Sequence, residues 1–261
     1  MKKERYPLGA IKTPKDFRDY KPKIVSNKRY PQDFQLSTST IKNQGWVGSC
    51  VAHSLSSFLE HEYNENFSTG FIYGYRPATY FMGSGMMPRD AMNTLLKVGD
   101  CKNVDYNVNE EMPRAANNVN AKLEDLLPKC EPFKVQSYSR IYTEKQIKDV
   151  LLEGTTVPVS IPVYNNLEYN KDYVITDIAG TPEGYHMILI YGWNEKGWLF
   201  QNSWGKTWGK NGTAILPFAH NIDSAWAIDT SANNIYTHKP IFGRLLQIIV
   251  NLIQNLFIKK K

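Results

Sequence analysis

The chain has 261 residues, 42% of them hydrophobic and 21% charged, with a formal net charge of +6. That length supports one large domain or two small lobes with an ample core, and the composition is that of a globular protein. The positive charge is spread out, with no basic run before Lys259 to Lys261, which argues against a nucleic-acid footprint. No stretch reaches the roughly 18 apolar residues of a membrane-spanning helix. The N-terminus, Met1-Lys2-Lys3-Glu4-Arg5, is charged with no apolar region behind it, so no secretory signal is read and a soluble, cytoplasmic protein is expected.

Residues 1–33 are rich in Lys, Arg, Pro and Tyr, and Pro7, Pro14, Pro22 and Pro31 interrupt any long helix, so this stretch reads as an extended arm laid on the body. A loop of glycines and polar residues, Asn43 to Ser49, then gives way to Cys50. From there Val51, Ala52, Leu55, Phe58 and Leu59 recur at helical spacing, which predicts a helix over 50–64. Cys50 therefore opens that helix, where unpaired backbone N–H groups and the positive dipole end favour a thiolate. Gln44, six residues upstream across two glycines, can fold back to aim its amide at the same point. A cysteine after Gly-Ser also reads as a small buried hydrophobe, so the stretch by itself leaves both meanings open.

Phe71 to Tyr80 is aromatic, Pro88 to Val98 predicts a helix closed by Gly99, and residues 113–127 predict a weaker one. The second half changes character. After a short helix, Glu144 to Leu152 stopped by Gly154, come short β-branched and aromatic runs starting at Val157, Tyr173, His186, Trp198, Thr213 and Ala225, separated by Gly, Asn and Pro. The expectation is an α+β chain: a helical lobe over about 34–135, an antiparallel sheet lobe over about 136–235, and a cleft between them. Residues 240–261 hold apolar side chains such as Leu245, Ile249 and Leu252 on one helical face and end in three lysines. This amphipathic helix either docks on the body, lies on an anionic membrane surface, or pairs with another chain.

Three cysteines, Cys50, Cys101 and Cys130, leave at least one thiol free; Cys101 and Cys130 either pair in an oxidising compartment or are two unrelated thiols. No Cys or His falls at metal-ligand spacing outside Cys50 and His53, so neither zinc nor another cofactor is expected. A thiolate nucleophile needs a base, and of five histidines His186 stands out because it begins the buried-strand run Met187 to Tyr191. Residues 186 and 202 are symmetric about position 194, near the Asn194-Glu195-Lys196-Gly197 turn, so a hairpin brings Asn202 roughly opposite His186, give or take a bulge. Asn202 can then orient the imidazole, with Trp204 shielding the bond. An Asn after a strand is equally a turn or cap residue.

Gln44-Gly45-Trp46-Val47-Gly48-Ser49-Cys50, then His186, then Gln201-Asn202-Ser203-Trp204-Gly205, in this order and at these separations, resembles the papain-like cysteine proteases over about residues 34–230. The arm motif Asp16-Phe17-Arg18-Asp19-Tyr20 looks most like the bacterial-type branch. The resemblance implies a two-lobed papain-like fold and a cysteine peptidase acting on polypeptides without a cofactor. In that reading Cys50 is the nucleophile, His186 the acid/base, Asn202 the orienting residue and Gln44 the oxyanion donor. Gly85 and Met86 fall where the family has a glycine-rich wall for substrate backbone, although Met86 and Met87 read equally as core methionines. Val47 stands where many relatives carry a disulfide cysteine and Val51 where an aromatic is common. About 33 residues precede the catalytic body, so either a long inhibitory segment has no counterpart or the short arm does its work. Two other functions fit the same residues: amide hydrolysis of cell-wall peptides, and a non-catalytic binding scaffold.

Overall fold

In the computed structural model, residues 5–16, 19, 29–80, 84–107 and 119–230 are described. The expected C-terminal amphipathic helix, and all of the expected 113–127 helix before Val119, lie outside the described residues.

Helix α1, Cys50–Tyr63, is the pillar of the fold: of its fourteen residues all but His61 and Tyr63 are buried. It ends at Asn64, whose left-handed φ of 55° turns its N–H back onto Glu60 O. A helix buried all round must be narrow on some faces, and Ala52, Ser54, Ser56 and Ser57 supply that. Leu55, Phe58 and Leu59 fill one core together with Met92, Leu95, Met187, Leu189 and Trp226. Helix α2, Thr69–Gly74, is capped by the Ser68 hydroxyl accepting from Phe71 N. Helix α3, Pro88–Lys97, begins with proline in its first turn as expected. Helix α4, Leu123–Cys130, and helix α5, Glu144–Leu152, follow; α5 opens with a full Thr143/Gln146 capping box.

The strands are β1, Phe34–Gln35, β2, Val135–Ile141, β3, Val157–Val163, β4, Gly184–Asn194, β5, Gly197–Gln201, β6, Thr213–Leu216, and β7, Ser224–Thr230. They form one antiparallel sheet in the order β2-β7-β3-β4-β5-β6, with β1 added to β4. Helices and sheet make the two-lobed α+β fold expected, with α1 packed on β4 through a bond from Ser54 Oγ to Ile188 O of 3.0 Å. One expected strand is absent. Tyr173 takes a left-handed φ of 61°, and its segment makes only isolated bridges, Tyr169 with Ile175 and Val174 with Ile215. Strands β1 and β2 were not read from the sequence; β2 carries Gln136, Ser137, Ser139 and Arg140 where a β-branched run would have announced it.

All three cysteines are free and buried. Cys101 and Cys130 share a small cluster with Phe71, Tyr106 and Leu126, and the Cys130 thiol hydrogen-bonds Cys101, raising its pKa. They are neighbours here and not a bridge.

The loop leading into α1 is tied down by Lys42. Its ammonium reaches Glu60 Oε1 at 2.9 Å, Ser56 Oγ at 2.6 Å and Phe67 O at 3.0 Å, in a setting where the Glu60 side chain is only 5% exposed. Removing one member strands the other charge in a dry site. Lys42→Met is therefore expected to cost about 3 kcal/mol in urea denaturation, and the double change Lys42→Met with Glu60→Leu to cost less than the single one.

Candidate active site

The loop Asn43 to Ser49 is held in place by backbone bonds to the segment after β5. Gln44 N donates to Ser203 O at 2.9 Å, Gly205 N to Lys42 O at 3.0 Å, and Asn43 bridges Trp204. These bonds aim the Gln44 side chain. Its Oε1 accepts from Ser203 Oγ at 2.6 Å, so the amide N–H₂ faces the other way and donates to Val47 O at 2.8 Å and Pro7 O at 3.1 Å. Cys50 is the first residue of α1, and Ser49 at the cap position makes no side-chain capping bond. Ser203 was not singled out in the sequence, although it sits inside the motif that named its neighbours.

The hairpin of β4 and β5 supplies the other half, with a different register from the one expected. Asn194 pairs with Gly197 and Trp193 with Trp198, but a bulge between Ile190 and Gly192 shifts the rest, so Leu189 faces Gln201. Extended one step, that register sets Asn202 against Ile188, two residues from His186. The side chains nevertheless meet diagonally. His186 Nε2 lies 2.7 Å from Asn202 Oδ1, and the same oxygen accepts from Ser203 N at 2.8 Å. An oxygen taking a backbone N–H is fixed as the acceptor, so His186 carries its proton on Nε2 and presents a bare Nδ1. That Nδ1 has no hydrogen-bond partner, and the next residue's backbone, Met187, bonds the Cys50 thiol. The Trp204 ring covers the imidazole at 4.5 Å, tilted by 33°.

The arm lies across this site. Tyr6 stacks on Trp204 at 4.4 Å and 8°, Pro7 O takes the Gln44 amide, and the Gly9 backbone hydrogen-bonds the Cys50 thiol. Ala10 bridges both walls: Ala10 N donates to Tyr185 O at 3.2 Å, while Met86 N donates to Gly9 O at 3.0 Å and Ile11 N to Met86 O at 3.1 Å, in a parallel sense. Met86 thus binds extended backbone, here the chain's own, with Gly85 beside it. The approach is possible because three glycines meet. A Cβ at Gly9 would stand 1.9 Å from Gly48 O, one at Gly48 would stand 2.8 Å from Leu8 O, and one at Gly85 would stand 2.5 Å from Gly9 O. Beyond the cleft, Arg140 Nη1 holds Thr13 O and Pro14 O, each at 3.2 Å, and Asp19 pairs with Arg89.

Burial under the arm reverses the electrostatics expected of a helix start. Desolvation raises the Cys50 pKa from 9.0 to about 11 and lowers that of His186 from 6.5 to about 4, outweighing the bonds from Met187, Gly9 and Asn202 that favour the charged forms. Both groups are therefore neutral at pH 7 in this conformation. Among the described residues no cluster of three or more His, Cys, Asp or Glu could hold a metal ion, and no helix is long and apolar enough to cross a membrane.

A family model for papain family cysteine proteases matches residues 80–233, more than half of the chain and a stretch that includes His186, Asn202 and Trp204. The chain belongs to the papain family of cysteine proteases. Gln44 and Cys50 precede that stretch, but longer likenesses span most of the chain. The structure is similar to that of xylellain, a cysteine protease from Xylella fastidiosa, at a TM-score of 0.74 and 25% identity, covering 88% of this chain and 99% of that one. A peptidase C1-like protein of Acanthamoeba polyphaga mimivirus is 26% identical over 84% of this chain and 78% of its own length. A viral cathepsin of Cydia pomonella granulosis virus is 26% identical over 79% of this chain and 65% of its own length.

With the arm in place, alkylation of Cys50 by a neutral haloacetamide is expected to follow a thiol titrating near 11. In a chain lacking residues 1–15 the midpoint is expected to fall below the ordinary thiol value, because water and a charged His186 then stabilise the thiolate. Rate against pH for the two proteins checks this, and coincident curves would refute it.

Proposed function

We propose that this family member is a cysteine peptidase that cleaves peptide bonds with Cys50, His186, Asn202 and Gln44, and that the arm holds it latent. The observation that carries the reading is the buried His186, with Nε2 bonded to Asn202 Oδ1 at 2.7 Å and Nδ1 left without a partner beside the strand residue that bonds the Cys50 thiol. Once the arm leaves, water enters and the Cys50 proton passes to Nδ1, giving a thiolate and an imidazolium stabilised by Asn202. The thiolate attacks the peptide carbonyl. The oxyanion is held by the Gln44 amide, which in the latent form donates to the arm's Pro7 carbonyl, together with the Cys50 backbone N–H at the helix start. His186 protonates the leaving amine, and a thioester to Cys50 remains. Water activated by the same imidazole then releases the acyl group and restores the thiol. Extended substrate would occupy the Gly85–Met86 wall.

Cys50→Ala is expected to abolish both peptide hydrolysis and labelling by a thiol-directed epoxide; labelling that persists would sink the reading. Gln44→Ala is expected to lower kcat by about 10²- to 10³-fold with KM little changed, as for loss of one oxyanion donor. Gly9→Val, which cannot seat against Gly48, is expected to raise hydrolysis by the full chain, measured beside wild type at equal concentration.

A further inference from the structure

Two arginines outside the catalytic cleft are positioned by the body of the chain but neutralised by the arm. Arg89, in the first turn of α3, and Arg140, on β2, both lie over the Trp226 ring of β7, their guanidinium carbons 5.3 Å and 5.8 Å from its centroid. Trp226 is fully buried and Arg140 is 3% exposed. The helix dipole opposes a cation where Arg89 stands. From the body, Arg140 Nη2 donates to Asp223 O at 2.7 Å, and Arg89 reaches the Tyr138 hydroxyl. Their other acceptors all belong to the arm. Arg140 Nη1 donates to Thr13 O and Pro14 O, Arg89 Nη2 donates to Pro14 O at 3.2 Å, and Arg89 Nη1 donates to Asp19 Oδ1. Asp19 Oδ2 lies 4.0 Å from Arg140 Nη1 and accepts from the Tyr142 hydroxyl at 3.3 Å and from Asp16 N at 3.2 Å. Among the described residues this is the only carboxylate within ion-pair distance of either guanidinium, and its side chain is 2% exposed. Burial alone would raise its pKa, yet the Arg89 bond, the Asp16 N–H and the two positive charges hold it below the ordinary carboxylate value. A cavity of about 380 Å³ opens beside it, lined among others by Asn93, Leu96, Ser137 and Tyr138.

Without the arm, two positive charges stand side by side, stripped of most of their acceptors, on a ring that keeps them there. Such a pair favours an anion, and its forked donors match a carboxylate. We propose that Arg89 and Arg140 form an anchoring site for an acidic side chain of the polypeptide substrate, the place that the arm's Asp19 fills. The proposal rests on the peptidase reading and adds a substrate class to it. The arm marks the track. Its backbone runs from Gly9 at the Cys50 thiol, along Met86 at Ala10 and Ile11, to Thr13 and Pro14 at the two arginines. Asp19 returns to that point through a turn in which Asp19 N bonds Asp16 O. An extended peptide needs no such turn, so its acidic residue would lie about four to six residues from the cleaved bond.

The test uses the full-length chain with Gly9→Val and Asp19→Ala, so that the arm neither seats on Gly48 nor fills the arginine site. Tyr6→Ala, which removes the stack on Trp204, is added if alkylation of Cys50 shows the arm still in place. Peptides of one sequence carry Glu or Gln at those positions on either side of the cleaved bond. For the best-placed Glu the KM is expected to be about ten-fold below that of its Gln partner with kcat unchanged, and the preference to shrink in about 1 M sodium chloride. Calorimetry on the same chain carrying Cys50→Ala reads binding without turnover and is expected to give the same ratio. Arg89→Gln is expected to bring both ratios near one, and Arg89→Glu to turn the preference toward Lys at that position. Near-UV circular dichroism confirms folding, and if Arg89→Glu does not fold, Arg89→Gln still decides. Equal binding of Glu and Gln peptides, or a Glu preference that survives the loss of Arg89, would overturn the proposal. Tighter binding of the Glu peptide to a chain that cleaves neither peptide with Cys50 intact would instead overturn the peptidase reading and leave the acidic-ligand site standing.

Discussion

The structure depends on the burial of one helix against one strand. Helix α1 carries Cys50, the proposed nucleophile, at its first residue and β4 carries His186 at its third, and both elements are buried along most of their length. What sets their separation is the small size of the α1 side chains that face the sheet, above all Ser54, whose hydroxyl bonds directly to the β4 backbone at Ile188. A larger residue there would push Cys50 away from His186, whereas Lys42 pins the preceding loop to the middle of the same helix. Catalytic geometry of this kind is worth many kilocalories only when the supporting packing is rigid. The helix is rigid because it is the core.

In the proposed mechanism that dryness also separates a latent state from an active one. Cys50 and His186, which must ionise in that mechanism, sit where burial opposes ionisation. The groups that would bind substrate backbone, Met86, Tyr185 and the Gln44 amide, all bond the arm instead. Covering the cleft therefore does two things with one segment. It fills the proposed binding wall, and it keeps solvent from the groups proposed to form the thiolate and imidazolium.

Much of this was legible in the sequence, and the failures have physical causes. Helices α1, α3 and α5 were readable because apolar spacing, an N-terminal proline and a capping box all agree within one segment. Cys50, His186 and Asn202 were readable because their residue types are chemically unusual for their places, a thiol at a helix start and an imidazole in a buried strand. The contact of His186 with Asn202 was inferred from hairpin symmetry about position 194, which came out two residues off: the turn is centred between Glu195 and Lys196, three residues out of register, and the bulge at Tyr191 takes back one of them. Strand β2 was missed because its outward face is polar and its inward Arg140 serves the arm. The path of the arm was invisible because backbone, and not side chains, makes most of its contacts; its one sequence sign was Gly9, and a lone glycine among prolines reads as a turn.

The arm is a tethered ligand, and that decides how firmly it must bind. β1 stitches the chain to β4 at Gly192 and Trp193, so residues 6–11 can never diffuse far from the cleft. A short tether gives a millimolar effective concentration, so a segment with an intrinsic affinity of only about 0.1 mM would fill the cleft in about nine molecules of ten. The handful of backbone bonds, the Tyr6 stack on Trp204 and the Asp19 pair with Arg89 are sufficient for that, each being individually weak. A free peptide at micromolar concentration would have to bind far more tightly to displace it. The proposed latency therefore resides less in any one contact than in the covalent connection, and cutting the chain anywhere between Ile11 and β1 is expected to relieve it without altering a single residue that touches Cys50.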